Sequence, residues 1–261
     1  MGYTALITGA SAGLGAEIAR QLAERRIDLV LVARDRSRLE ALAAELVETH
    51  GVRAEVLATD LTVQDDLERV AARVASSDEA PIDILVNNAG FGVYDGFEVS
   101  DIGAERRLHE LLSWVPLRLA HAAIPGMLLR ERGWILNVAS VAAFTPTGTY
   151  GAAKAAVVSL SRSLNARYRK RGIRVTALCP GLLATEFHER MGEDHLPRLP
   201  GVVWASTERV AAEGLRALHR GTPVLVSDWR YRLLVPLTRI LPARLMERAS
   251  TTNAQSVRSR A

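Results

Sequence analysis

The stretch Thr8-Gly9-Ala10-Ser11-Ala12-Gly13-Leu14-Gly15 decides how the rest of the chain is read. An apolar run, Tyr3–Thr8, leads into it. A segment with Leu14, Ile18 and Leu22 spaced by four, Leu14–Arg25, leads out. A strand therefore becomes a helix across a glycine-rich turn. Glycine lets the backbone turn tightly and approach an anion with no Cβ in the way. A helix start points free N–H groups and the positive end of its dipole at that anion. Gly9, Ser11, Ala12, Gly13, Leu14 and Gly15 are therefore candidate pyrophosphate contacts, Ser11 adding a hydroxyl donor. The plainer reading is a tight strand-to-helix connection, and the rest of the chain must discriminate.

Working outward, short apolar runs alternate with amphipathic segments. Asp28–Ala33, Arg53–Ala58, Ile82–Val86, Trp134–Val138, Arg174–Leu178 and Pro223–Val226 read as further strands. The intervening helices are Ser37–Thr49, with Ser37 as N-cap, Glu40 completing a capping box and Gly51 beyond the end; one capped by Thr62 and running to Ala75; Ala104–Arg132, interrupted by Pro116 and Pro125; Tyr150–Arg171, ended by Gly172; and Thr207–Arg220. Such alternation predicts an α/β fold: a doubly wound parallel sheet (Rossmann fold) in three layers, α/β/α. One domain over residues 1–261 is expected, with a core at about 3–226 and a C-terminal extension at about 227–261.

Composition excludes several classes. The chain has 261 residues, 48% hydrophobic, enough for one sizeable core. A single cysteine, Cys179, rules out an internal disulfide. Six histidines without ligand spacing give no metal site. The net charge of +4 is arginine spread along the chain rather than a block, against a nucleic-acid surface. No basic leader and no unbroken apolar run of about 18 residues suggests a secretory signal or a transmembrane segment, so the expected location is cytoplasmic.

Ligands of a doubly wound sheet sit beyond the carboxyl ends of its strands. Gly9, Arg34, Asp60, the block Asn87-Asn88-Ala89-Gly90, Ser140 and Pro180-Gly181 all fall there. With the turn spacing G-x-x-x-G-x-G, Asn87-Asn88-Ala89-Gly90, Asn137-Val138-Ala139-Ser140, Tyr150-Gly151-Ala152-Ala153-Lys154 and Pro180-Gly181 followed by Thr185, the chain resembles the short-chain dehydrogenase/reductase family over about residues 3 to 226. The resemblance implies a nicotinamide cofactor held by Gly9 to Gly15, Asn87, Ala89, Gly90, Tyr150, Lys154, Pro180, Gly181 and Thr185. It also implies an adenine contact by Asp60 backed by Leu61, although Asp60 also reads as a loop acid before the Thr62 cap. In its catalytic set Tyr150 is the acid/base, Lys154 the pKa tuner and Ser140 the carbonyl binder.

An acid after the second strand would accept from a ribose 2′-OH and repel a 2′-phosphate. Here Ala33 is followed by Arg34, which leaves room and offers a guanidinium, with Ser11 and Arg38 as helpers. NADP(H) is expected over NAD(H), unless Arg34 is only a solvated loop residue. Tyr150 and Lys154 share a helix face. A nearby ammonium is expected to lower a phenol from its usual value of about 10. The phenol can then exchange a proton with an alcohol or alkoxide while Ser140 polarises the reacting oxygen.

Two departures from the family stand out. Leu112 occupies the place of a usual asparagine in the long helix and cannot join a proton relay; Pro116 can supply the kink, and Ser113 or His109 the relay. The Ser140–Tyr150 interval is short, so Val141–Thr149 is expected to turn tightly, with the risk that Ser140 is drawn out of place. These departures keep a second reading open, a catalytically weakened dinucleotide-binding sensor or partner subunit. Specificity is expected from Phe91–Ser100, Val141–Thr149 and the apolar Leu182–Gly201, favouring a lipophilic ketone, aldehyde or secondary alcohol. Trp229–Met246 reads as a pocket cover, a subunit contact or a peripheral membrane element. The family resemblance implies a homodimer or homotetramer through the long helices.

Overall fold

A computed structural model of the chain describes residues 2–77, 80–93, 96–181, 183, 205–227, 231, 232 and 235. Seven strands form one parallel sheet: β1 (Thr4–Thr8), β2 (Asp28–Ala33), β3 (Ala54–Ala58), β4 (Ile84–Asn87), β5 (Gly133–Val138), β6 (Ile173–Cys179) and β7 (Val224–Val226). Their spatial order is β3-β2-β1-β4-β5-β6-β7, so the sheet reverses direction of growth between β1 and β4. That reversal opens a crevice at the strand ends. The helices are α1 (Gly13–Ala23), α2 (Arg36–His50), α3 (Gln64–Ala75), α4 (Ile102–His109), α5 (Val115–Leu129), α6 (Gly148–Tyr168) and α7 (Thr207–Arg220). The single α/β domain with its doubly wound sheet is as expected.

Alternation along the central strands divides the core into two layers. Ile7, Leu29 and Leu31 pack with Ile18, Leu22, Leu39 and Leu215 on one face. Leu6, Val30 and Val32 pack with Leu67, Val70, Leu119 and Met127 on the other. Each fully buried leucine or isoleucine contributes about 1.5–3 kcal/mol.

Local details differ from the sequence reading in three places. The N-cap of α2 is Asp35, not Ser37: Asp35 accepts from the Arg38 amide at 3.1 Å, and the Ser37 hydroxyl donates to it at 2.8 Å. Thr62 does not cap α3, which begins at Gln64 with no side-chain cap; its hydroxyl donates instead to Asp60 at 2.8 Å. The long helix is two helices joined by a π turn, Glu110–Trp114. Pro116, two residues further on, cannot donate the backbone bond that an α-helix requires of it, and the turn widens just ahead of the proline. By length and composition alone Ile102–Leu129 is apolar enough to cross a membrane, but half of it is buried in the fold. Arg118 on its other side binds Glu68 of α3 at 2.6 Å.

Candidate active site

The glycine turn lies in the crevice between β1 and β4. Gly9 (φ +66°) and Gly13 (φ +54°) adopt left-handed backbone. A Cβ on Gly15 would stand 2.2 Å from the Gly9 carbonyl oxygen, so the helix start and the strand end touch backbone to backbone. α1 has no side-chain cap and no acid in its first turn. Its free N–H groups and dipole therefore face the half-buried Ser11 and Ala12, with no side-chain cap and no acid of the helix's own first turn to satisfy them. A cradle of this kind fits the pyrophosphate of a dinucleotide.

Asn88 holds the turn in place, a role the sequence reading did not assign. Its amide nitrogen donates to the carbonyls of Thr8 at 3.0 Å and Gly9 at 3.1 Å. The Thr8 hydroxyl in turn accepts from the backbone N–H of Asn88 at 2.9 Å and of Ala89 at 3.1 Å. The only signal in the sequence is an amide side chain beside the strand that neighbours a glycine turn. Asn87, expected among the cofactor contacts, is buried. Its amide nitrogen donates to Asn137 at 2.8 Å, and Asn137 donates to Ser161 of α6 at 2.9 Å. That chain ties β4, β5 and α6 together. Ala89 is half-buried and Gly90 exposed at the crevice.

Beyond β2, Ala33 closes the strand and Arg34 is 73% exposed, 3.9 Å from the Asp60 carboxylate. So loose an exposed pair is worth about 0–1 kcal/mol and leaves the guanidinium free to turn. Asp35 points away into the α2 cap, where hydrogen bonds from the Arg38 amide and Ser37 hydroxyl hold its carboxyl below the usual range. Arg38 pairs with Asp35 at 3.5 Å. No carboxylate therefore occupies the position just after β2. Asp60 accepts from the Thr62 amide at 3.0 Å, and Leu61 is buried beneath the loop.

At the ends of β5 and α6 the structure brings Ser140, Tyr150 and Lys154 together. Ser140 caps a single 3-10 turn, Val141–Phe144, accepting from the Ala142 amide at 3.1 Å. The Ser140 hydroxyl stands near enough to the Tyr150 phenol to act on its titration, in the lowering direction. The short interval leaves Ser140 at the N-cap of the 3-10 turn beside Tyr150. It works because the turn lies directly on α6: a Cβ on Gly151 would stand 3.0 Å from the Ala142 carbonyl and 2.3 Å from the Thr147 hydroxyl. Lys154 is buried and donates to the Val138 carbonyl at 2.8 Å, with its nitrogen 5.7 Å from the centre of the Tyr150 ring.

Burial governs the titration of both groups. It pushes the Tyr150 phenol up to about 12, the Ser140 hydrogen bond acting in the opposite direction. It pulls the Lys154 ammonium down to about 8. The expected lowering of the phenol by its neighbour is thus not what this structure gives: desolvation raises it, only Ser140 acts against that, and the ammonium is turned to a backbone carbonyl. The phenol therefore keeps its proton at neutral pH.

Leu112, in the π turn, is buried with Leu108 and Ala153, and Phe91, Val93 and Tyr150 pack against this group. Its side chain fills the space over Gly90, where a Cβ would meet it at 2.9 Å. Ser113 donates to the Ala153 carbonyl, a long contact at 3.4 Å. Pro180 is buried and its carbonyl accepts from the Val141 amide at 3.0 Å; Gly181 packs on the Tyr231 ring. Thr185, most of Leu182–Gly201 and most of Trp229–Met246 lie outside the described residues.

A parallel sheet opened between β1 and β4 around an uncapped glycine turn, with a phenol and an ammonium at the next strand end, defines a dinucleotide-binding oxidoreductase of the Rossmann type. The family model for short chain dehydrogenases matches residues 3–196, and the chain belongs to the short-chain dehydrogenase/reductase family. It is an NAD(P)-dependent oxidoreductase acting on CH–OH and C=O groups. A short-chain dehydrogenase from Sphingobium yanoikuyae in complex with NADPH is similar at 37% identity and a TM-score of 0.82, over 91% of this chain and 94% of that one. The bulky-bulky ketone specific alcohol dehydrogenase from Comamonas testosteroni is similar at 34% identity and a TM-score of 0.78, over 91% and 92%. Oxidoreductase UcpA of Salmonella typhimurium is 35% identical over 222 residues, 83% of this chain and 82% of that protein.

Proposed function

We propose that the chain is an NADP(H)-preferring reductase of lipophilic ketones and aldehydes, with secondary alcohols as the reverse substrates. The observation that carries this reading is the grouping of Ser140, Tyr150 and Lys154 beside the nucleotide crevice, with the partly buried Tyr150 phenol keeping its proton at neutral pH. The nicotinamide, when bound, supplies the hydride. Ser140 then orients and polarises the carbonyl oxygen, and Tyr150 donates its proton to the forming alkoxide. Lys154 holds its charge beneath the phenol. NADP(H) is favoured because the place after β2 holds Ala33 and an exposed, loosely paired Arg34 rather than a carboxylate; the NADPH complex of the Sphingobium relative supports this. Gly9 to Gly15, Ala89, Gly90, Asp60, Leu61 and Pro180-Gly181 complete the cofactor site, with Thr185 as an expected further contact. Asn87 acts through the β4–β5–α6 hydrogen-bond chain.

The ketone preference of the Comamonas relative and the apolar Phe91, Val93 and Leu112 beside Tyr150 support a lipophilic substrate. A homodimer or homotetramer in the cytoplasm completes the reading. Its support is an open groove of 360 Å³ between the π turn and α6, where Trp114 and Leu117 are 45% and 40% exposed. The test is oxidation of NADPH and of NADH against a panel of lipophilic ketones and aldehydes that includes benzophenone. Turnover with NADPH, abolished by Tyr150→Phe, is expected. Cofactor binding without turnover of any carbonyl would overturn the assignment and favour a sensor.

A further inference from the structure

One buried acid outside the residues assigned so far stands against the helix that carries the phenol. Glu105 of α4 is only 6% exposed. Its carboxylate accepts from the Thr149 hydroxyl at 2.5 Å. Thr149 is the second residue of α6 and immediately precedes Tyr150.

The first turn of α6 packs on the Val141–Phe144 turn, but its own residues supply no polar anchor. The helix has no side-chain cap and no acid of its own in that turn. Thr147, at the cap position, spends its hydroxyl on the Ala142 and Thr145 carbonyls. Gly148 is left-handed, φ +65°, and a Cβ there would meet nothing within 4 Å. Glu105, Leu108 and Leu112 lie on one face, turn after turn. Leu108 and Leu112 form the apolar cluster on which Tyr150 packs, so Glu105 is the polar end of the same contact. A buried carboxylate is costly unless hydrogen-bonded. This one finds a hydroxyl donor and the positive end of the α6 dipole.

We propose that Glu105 is a positioning residue: through Thr149 its carboxylate fastens the first turn of α6 to α4, and so fixes where the Tyr150 phenol stands relative to Ser140. The proposal rests on the reading of Tyr150 as the proton donor. The ring of Tyr150 follows the backbone of residues 148–151, so a shift of that turn moves the phenol relative to Ser140. A displacement of about 1 Å at that end lowers a rate on the order of a hundredfold.

Two measurements test this. In benzophenone reduction, Glu105→Ala and Thr149→Val are each expected to lower kcat roughly ten- to a hundredfold with the NADPH dissociation constant unchanged. The double variant should be no worse than the poorer single one, because both remove one link. Glu105→Gln should recover most of kcat, since its amide oxygen still accepts from Thr149. Independently of any substrate, amide hydrogen exchange over residues 148–152 should accelerate in Glu105→Ala and Thr149→Val, with the rest of α6 still protected. Wild-type kcat in Glu105→Ala, a loss that falls on NADPH binding, additive losses in the double variant, or unchanged exchange at the α6 start would overturn the proposal. If Glu105→Ala fails to fold, Thr149→Val and Glu105→Gln carry the same test. Persistent turnover in Tyr150→Phe would remove the proton-donor reading, and the exchange result would still decide whether the fastening exists.

Discussion

Replacing Lys154 by methionine is expected to abolish turnover and yet make the protein more stable at neutral pH. Burial lowers the lysine from 10.5 to about 8, so the folded state carries a penalty for holding the ammonium. That difference corresponds to about 3 kcal/mol. The sign follows from proton binding. Below about 8 the lysine is protonated in both states and the full penalty applies. Between about 8 and 10.5 only the unfolded chain keeps the proton, so stability climbs with pH. Above 10.5 the penalty is gone.

Methionine removes the charge but leaves the Val138 carbonyl without its 2.8 Å donor, a loss of about 1–2 kcal/mol. The net gain near pH 7 is about 1–2 kcal/mol, or roughly 2–8 °C in Tm for a domain of this size. Two other buried groups titrate in the same range with the opposite sign. The Cys179 thiol, raised from 9.0 to about 12, and the Tyr150 phenol, raised from 10.0 to about 12, both cause stability to fall as pH rises. Comparing the variant with the wild type removes the phenol's share; the thiol's share grows in the variant, because Lys154 lowers Cys179 in the wild type, and this acts only above pH 9. Thermal and denaturant unfolding at pH 6.5, 7.5, 8.5 and 9.5 should show the advantage of Lys154→Met greatest at the two lower values and shrinking above them. A variant equally or less stable at pH 6.5, with a pH dependence parallel to the wild type, would refute the reasoning.

Arg34→Ala should weaken NADPH binding roughly ten- to a hundredfold, the worth of a charge-assisted contact to a phosphate, and leave NADH unchanged; titration with both nucleotides decides, and equal losses would point to a general role for Arg34. Asn88→Ala removes both amide donors from the Thr8 and Gly9 carbonyls. It should lower stability by about 1–3 kcal/mol and weaken both nucleotides together, seen in paired unfolding and binding curves.

What was legible in the sequence was local. Continuous apolar runs such as Asp28–Ala33 mark strands covered on both faces, and the glycine turn marks the crevice without any long-range knowledge. The less legible features depend on partners distant in sequence. Asp35 and Ser37 are both good caps, and only the backbone path decides that Asp35 receives the Arg38 amide. Pro116 announces a disturbed helix but not that the preceding turn widens into a π turn. The phenol of Tyr150 is pushed up rather than down by desolvation, a property of the elements packed around it. Asn88 gives its amide to a turn about eighty positions earlier in the chain, which no nearby pattern reveals.

That last contact ties nucleotide recognition to the order of chain assembly. The loop that would receive the phosphates is laid down first, but its shape is secured only after the β4 segment has been made and has docked beside β1. A nascent chain stopped short of Asn88 holds the glycines without the brace that sets them. Competence to bind nucleotide therefore reports that the two halves of the sheet have met, and it would serve as a natural probe of that step during refolding.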